Sequence, residues 1–184
     1  EHADEAGLAF LCSAFSLEAV NVLRTLGVNA WKVASGEMFA FDFIQHLASD
    51  NLPLIISTGL ASPDDVDAIV NYVESNNVAY ALLQCTSRYP TPLKQVGINV
   101  MEQYRERYRC NVGLSDHSGT TLPSLVAMAR GASIVEVHVT FNRGIIGPDT
   151  SSSITFDELK QLVAARDGIY ELDSSPVDKY DMYV

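Results

Sequence analysis

Two histidines, one lysine, one carboxylate and a set of serines stand at positions where side chains could converge on a substrate. Between Ser133 and Thr140 the residues alternate. Val135, Val137 and Val139 take one face of a strand, and Glu136, His138 and Thr140 the other. A lone Glu-x-His would suit any solvent-facing strand. Here, however, Gly131 closes an apolar helix ahead of the run and a loop rich in Gly and Pro follows it, which is the surrounding of a strand in a βα barrel. His117 follows the preceding apolar run, so the two imidazoles are expected side by side. Such a pair can hold a metal. With carboxylates such as Glu136 near and no cysteine pair in register, a hard or borderline divalent ion with open positions suits it better than structural zinc. Lys32 alternates with Trp31 and Val33, so it points away from the face they pack, and an inward lysine needs an anion. Ser13, Ser35, Ser57 or Thr58, Ser87 and Ser115 fall at strand ends. Singly each is a turn or cap residue; together they can ring a phosphate.

The elements that must position these groups follow from periodicity. Apolar strand-like runs at 8–15, 30–35, 52–58, 78–85, 111–115 and 133–140 alternate with helical patterns. Ser62-Pro63-Asp64-Asp65 opens one helix as a cap with Pro at its first position, and Val66, Ile69, Val70 and Val73 give it an apolar face. Thr155 with Glu158 forms a capping box for the last helix. Six βα units in a row predict an α/β fold with a parallel sheet. No G-x-G-x-x-G or G-x-x-x-x-G-K-[ST] follows any strand, so a barrel is favoured over the nucleotide-binding sheets. Residues 1–166 form the barrel portion, and 167–184 read as a linker.

The 184 residues are 47% hydrophobic and 19% charged, enough for one core-bearing domain. A net charge of −11 disfavours nucleic acid and anionic membranes as partners. Three cysteines without C-x-x-C spacing indicate a reducing, cytoplasmic setting, and no apolar run is long enough to span a membrane.

Taken in order, Lys32-Val33-Ala34-Ser35-Gly36-Glu37, Ser57-Thr58-Gly59, Cys85-Thr86-Ser87-x-Tyr89-Pro90, Gly113-x-Ser115-Asp116-His117, Glu136-x-His138-x-Thr140 and Gly147-Pro148-Asp149 closely resemble the sialic acid synthase family, which includes the legionaminic and pseudaminic acid synthases. The resemblance covers residues 8 to about 165 and implies a TIM (β/α)8 barrel, here incomplete, with strands 3 to 8 present. It also implies condensation of phosphoenolpyruvate with an N-acetylated amino sugar, ManNAc or a relative, to a nine-carbon 2-keto sugar acid with release of phosphate. Carried over residue by residue, His117 and His138 hold Mn2+ or Mg2+. Lys32, Ser13, Ser35, Ser57, Ser87 and Ser115 hold phosphoenolpyruvate, and Glu37, Tyr89, Glu136 and Asp149 lie near the sugar.

The chain departs from the family pattern at Val137, where a lysine is usual, at Ser87, where some members have asparagine, and at Ala14-Phe15-Ser16 in place of Pro-Phe-Asp. The family's first two strands and its C-terminal antifreeze-like domain have no counterpart in the sequence, and the full-length family protein is a homodimer. The strands at 8–13 and 133–140 are therefore expected as open edges, and the chain alone as inactive. Two other readings remain open: a Schiff-base aldolase using Lys32, and a truncated barrel acting as a binding module.

Overall fold

The computed structural model describes residues 1–178. After a four-residue turn of helix, α1 (His2–Glu5), the elements are α2 (Leu17–Leu26), β1 (Trp31–Val33), α3 (Phe41–Ala48), β2 (Leu54–Ser57), α4 (Pro63–Ser75), β3 (Tyr80–Cys85), α5 (Ile98–Tyr108), β4 (Asn111–Asp116), α6 (Leu122–Ala129), β5 (Ile134–Thr140), β6 (Ser153–Thr155) and α7 (Phe156–Ser174). The strands form one sheet in sequence order, every neighbour parallel. Helices start where capping chemistry places them. The Ser16 hydroxyl accepts from the Ala19 N–H, and Ser62 with Asp65 and Thr155 with Glu158 bond reciprocally.

The sheet is curled into a half-barrel. In a flat sheet β1 and β5, four strands apart, would be separated by roughly 19 Å at about 4.8 Å per strand. Lys32 on β1 nevertheless reaches within 3.5 Å of Glu136 on β5. The tight curl needs a residue without a side chain at Gly113, where a Cβ would stand 2.1 Å from the Ile134 carbonyl and 2.6 Å from Leu83.

The core lies outside the curl. Trp31, Val33, Leu54, Ile56 and Leu82 point outward and meet Val20, Ile44, Leu47, Ile69 and Val73 from the helices, all fully buried or nearly so. Each such side chain contributes about 1.5–3 kcal/mol relative to exposure. The inward face becomes polar toward the C-terminal ends of the strands, as alternation predicts.

Two expectations change. Residues 8–15 make no ladder: among the described residues their one backbone pairing with the sheet is the single bridge from Ser13 to Lys32. Leu8, Phe10, Leu11 and Phe15 stay exposed there, and an apolar run becomes a strand only when a partner takes up its backbone groups. At the other end, residues 133–140 are not a bare edge: His138, Val139 and Thr140 pair with Ser153, Ile154 and Thr155. The sixth strand of the sheet is thus β6 rather than 8–15. Residues 167–174 continue α7, and only the part of the expected linker up to residue 178 can be compared, because 179–184 lie outside the described residues. Among the described residues no helix is long and apolar enough to cross a membrane.

Candidate functional site

A cavity of about 520 Å3 opens at the C-terminal ends of the strands. Ser13, Lys32, Ser35, Ser57, Ser87, Tyr89, Ser115, His117, Glu136 and His138 all line it. Glu37 and Asp149 do not. The Glu37 carboxylate turns back to accept from the Ala34 N–H at 3.0 Å, and Asp149 stands behind His138, 4.0 Å from its Nδ1. Burial raises the Glu37 carboxyl, partly offset by the Ala34 N–H and the charge of Lys32.

One corner is built for negative charge. Lys32 is 8% exposed; its ammonium donates to the Val33 carbonyl at 3.0 Å and the Ser57 hydroxyl at 2.9 Å. The Ser115 hydroxyl donates to Glu136 Oε2 at 2.6 Å, and the same oxygen lies 3.5 Å from both Ser57 Oγ and Lys32 Nζ. One ammonium and two hydroxyls therefore meet at a single carboxylate oxygen.

A second corner is formed around Gly59. Its N–H donates to Ser35 Oγ at 3.0 Å, and a Cβ there would stand 2.4 Å from Ser87 Oγ, 2.7 Å from Cys85 Sγ and 2.8 Å from Ser35 Oγ. Only glycine lets three polar heads close on that point. The turn itself is held from behind: Tyr104 on α5 donates to Thr58 Oγ1 at 3.1 Å, and Thr58 donates to the Leu83 carbonyl.

The imidazoles of His117 and His138 sit 5.2 Å apart between ring centroids. His117 Nδ1 lies 3.1 Å from the Thr86 carbonyl, so it carries a proton and leaves the neutral ring's lone pair at Nε2, where the Tyr89 hydroxyl lies at 3.0 Å. Tyr89 also packs on that ring at 4.2 Å. The loop carrying Tyr89 is fixed by Thr91, whose N–H donates to the His117 carbonyl and whose hydroxyl contacts the Thr86 and Arg88 carbonyls.

Cys85 joins this group, with Sγ 3.8 Å from His117 Nδ1 and accepting from Ser35 Oγ at 3.2 Å. Burial opposes its thiolate, but the bonds with His117 and Ser35 outweigh burial and lower the thiol. Burial likewise opposes the His117 imidazolium, yet Cys85 and the Thr86 carbonyl together raise it. Burial raises Asp116, whose carboxylate caps the following turn through the Ser118 N–H and hydroxyl.

The donor set fits a divalent ion held by two imidazoles, with a carbonyl orienting one ring and a carboxylate beside the other. Among the described residues no group of three or more His, Cys, Asp or Glu converges, so further ligands would have to come from substrate or water.

Sequence reasoning did not assign a role to Cys85, Gly59 or Tyr104. The first two lay inside quoted motifs. Tyr104 gave no signal, because its contact depends on how α5 lies against β2.

A protein-family model described as the NeuB family matches residues 1–175. The N,N'-diacetyllegionaminic acid synthase of Campylobacter jejuni is 34% identical over 164 residues, which is 88% of this chain and 49% of that protein. The human N-acetylneuraminate-9-phosphate synthase is 32% identical over 163 residues, 88% of this chain and 45% of that protein. The chain thus spans about half the length of the curated relatives it matches. A crystal structure of an N-acetylneuraminic acid synthetase from Leptospira borgpetersenii, in complex with citrate, superposes with a TM-score of 0.91 at 26% identity, covering 98% of this chain and 64% of that one. A Thermotoga maritima DAHP synthase shares the fold at a TM-score of 0.77 and 15% identity, covering 96% of this chain and 55% of that one.

Proposed function

The chain belongs to the NeuB family, and from that premise we propose that it is the barrel portion of an enzyme that condenses phosphoenolpyruvate with an N-acetylated amino sugar, ManNAc or a relative. The product is a nine-carbon 2-keto sugar acid, and phosphate is released. The observation that carries this reading is the placement, in one cavity, of a Lys32–Ser57–Ser115 anion cradle beside the His117–His138 pair.

In this reading Lys32, Ser57 and Ser115 hold one anionic end of phosphoenolpyruvate by charge-assisted hydrogen bonds, and Ser13, Ser35 and Ser87 line the space for the other. His117 and His138 would hold Mn2+ or Mg2+, which when bound polarises the sugar aldehyde. C3 of the enol attacks the aldehyde carbon, water adds to C2, and the C2–O bond to phosphate breaks to leave the ketone. The Thr86 carbonyl at Nδ1 and the ring contact of Tyr89 keep His117 oriented, and the Tyr89 hydroxyl would yield Nε2 to the ion. Glu136 and Asp149 are the carboxylates beside the sugar, and Glu37 would join them once its bond to the Ala34 N–H opens. A cytoplasmic setting accords with three free thiols.

The test is phosphate release from phosphoenolpyruvate across ManNAc, its 6-phosphate and diacetamido-dideoxy sugars, with Mn2+ or Mg2+. The chain is assayed alone and co-expressed with a segment supplying two further βα strands. Because, among the described residues, Ile134–Val137 of β5 pair with β4 alone and the outer side of β1 carries a single bridge in place of a ladder, turnover is expected only in the second case. His138→Ala should abolish that metal-dependent turnover and leave the melting temperature near wild type. Borohydride with pyruvate should leave Lys32 unmodified. A trapped adduct, or metal-dependent turnover surviving His138→Ala, would overturn the reading.

A further inference from the structure

Glu136 occupies a place that its assignment beside the sugar does not explain. Its Oε2 collects the Ser115 hydroxyl at 2.6 Å, the Ser57 hydroxyl at 3.5 Å and the Lys32 ammonium at 3.5 Å. Those are the groups that define the anion cradle. Two of the three come from strands that are not neighbours of β5, so the contact exists only because the sheet is curled.

The donors cannot serve two acceptors equally well. A serine hydroxyl has one hydrogen, and that of Ser115 is given to Glu136. The Lys32 ammonium has three hydrogens, two of which go to the Val33 carbonyl and Ser57. The third is the one available to Glu136 or to a ligand. An arriving anion would also meet the like charge of the carboxylate at close range in a half-buried corner.

We infer that Glu136 is an internal competitor for the anion cradle: its Oε2 marks the position of a ligand oxygen, and an anionic substrate binds by displacing it. The inference rests on the reading of this corner as the phosphoenolpyruvate site. Displacement is sterically open. The Glu136 side chain is 42% exposed, and among the described residues no hydrogen bond is made to its Oε1, so it can swing outward without disturbing packed core. The released carboxylate remains on β5, two residues from His138 and on the same face, where it can serve the second substrate. The cradle so arranged also selects for charge. A neutral ligand offers Lys32 and Ser115 less than the carboxylate they already hold, whereas a phosphate or a carboxylate offers at least as much.

The experiment is calorimetric titration of inorganic phosphate, and separately of phosphoenolpyruvate, into the 184-residue chain and its variants. Glu136→Gln removes the competing charge and should bind both anions roughly three- to tenfold more tightly than wild type. Glu136→Asp keeps the charge on a shorter arm that cannot reach Ser115 as closely, and its affinity should fall between the two. Ser57→Ala and Ser115→Ala should each bind more weakly than wild type. Unchanged or weaker binding by Glu136→Gln, together with weakened binding by the serine variants, would leave the anion site standing and overturn the competition. Indifference of the affinity to both serine substitutions, or absence of binding throughout, would overturn the site reading and the inference with it. Melting curves establish that each variant is folded, and should Glu136→Gln fail to fold, the direction of the change in Glu136→Asp decides.

Discussion

β2 and β5 carry the same pattern in sequence, with β-branched or leucine side chains facing outward and chemistry-bearing residues facing inward, yet they end in different surroundings. Leu54 and Ile56 of β2 are fully buried beneath the helices, whereas every residue of β5 keeps part of its surface and Val139 is 43% exposed. The difference lies in the neighbours. β2 has a full strand on each side and the α3–α4 layer outside. β5 pairs with β4 along Ile134–Val137 and with β6 along His138–Thr140, so its two ladders follow one another instead of flanking it, and its outer face borders a groove of about 350 Å3 lined by Met128, Leu159 and Leu162. An identical alternation therefore specifies which way a side chain points, while burial depends on what the rest of the sheet supplies. The candidate site uses both kinds of strand. Its donors, Lys32, Ser57 and Ser115, stand on strands with buried outer faces, and its mobile acceptor, Glu136, stands on the strand with the looser one.

The comparison breaks if the two faces respond alike to truncation. Leu54→Ala, on the fully buried outer face of β2, should lower unfolding free energy by about 2–5 kcal/mol. Val139→Ala should cost under about 1 kcal/mol. Denaturant titrations with unchanged slopes provide the measurement, and comparable losses at both positions would show that the β5 face is as well packed as the other.

A smaller effect is expected in the site itself. Gly59→Ala drives a methyl group into Ser35, Cys85 and Ser87. All three contacts are ends of side chains that can rotate, so the fold should survive with a loss under about 1.5 kcal/mol. The three polar heads can then no longer close together, and inorganic phosphate should bind roughly tenfold more weakly. Wild-type affinity in Gly59→Ala would remove Ser35 and Ser87 from the anion site and confine it to the Lys32 corner.

How far the sequence disclosed this arrangement depends on whether the cause was local. Alternation put Lys32, Glu136 and His138 on inward faces, position at strand ends marked Ser57 and Ser115, and ten of the twelve candidate residues line the same cavity. The capping signals at Ser62 and Thr155 were also legible, because caps are made within one turn of the chain. The apolar run at 8–15 misled because strand propensity says nothing about a partner. β6, three residues long, is too short for any period to show. Glu37 was placed near the substrate by its motif, but a bond to a backbone N–H three residues away holds it back. The Cys85–His117 contact joins residues 32 apart and follows only from the stagger of β3 against β4.

That contact gives the smallest and most local prediction. His117 is raised although burial works against its charge, and the Cys85 bond is the largest of the causes that raise it. Serine at position 85 keeps a hydrogen-bonding atom and cannot ionise, so in Cys85→Ser the His117 titration midpoint should fall, read from ring C–H shifts of the metal-free protein. The sign carries through to stability. A raised histidine contributes fully below its ordinary range, and the contribution disappears as pH rises through the folded value. The lowered Cys85 works oppositely: its contribution is present above the ordinary thiol range and is lost as pH falls through its folded value. In Cys85→Ser the thiol contribution is gone, and the histidine contribution should be lost at a lower pH than in wild type. An unmoved His117 midpoint would mean that Cys85 acts as neutral packing. Thr86 and Asp116 would then account for the raised imidazole, and the well-packed half of the site would owe its electrostatics to β4 and the loop after β3 alone.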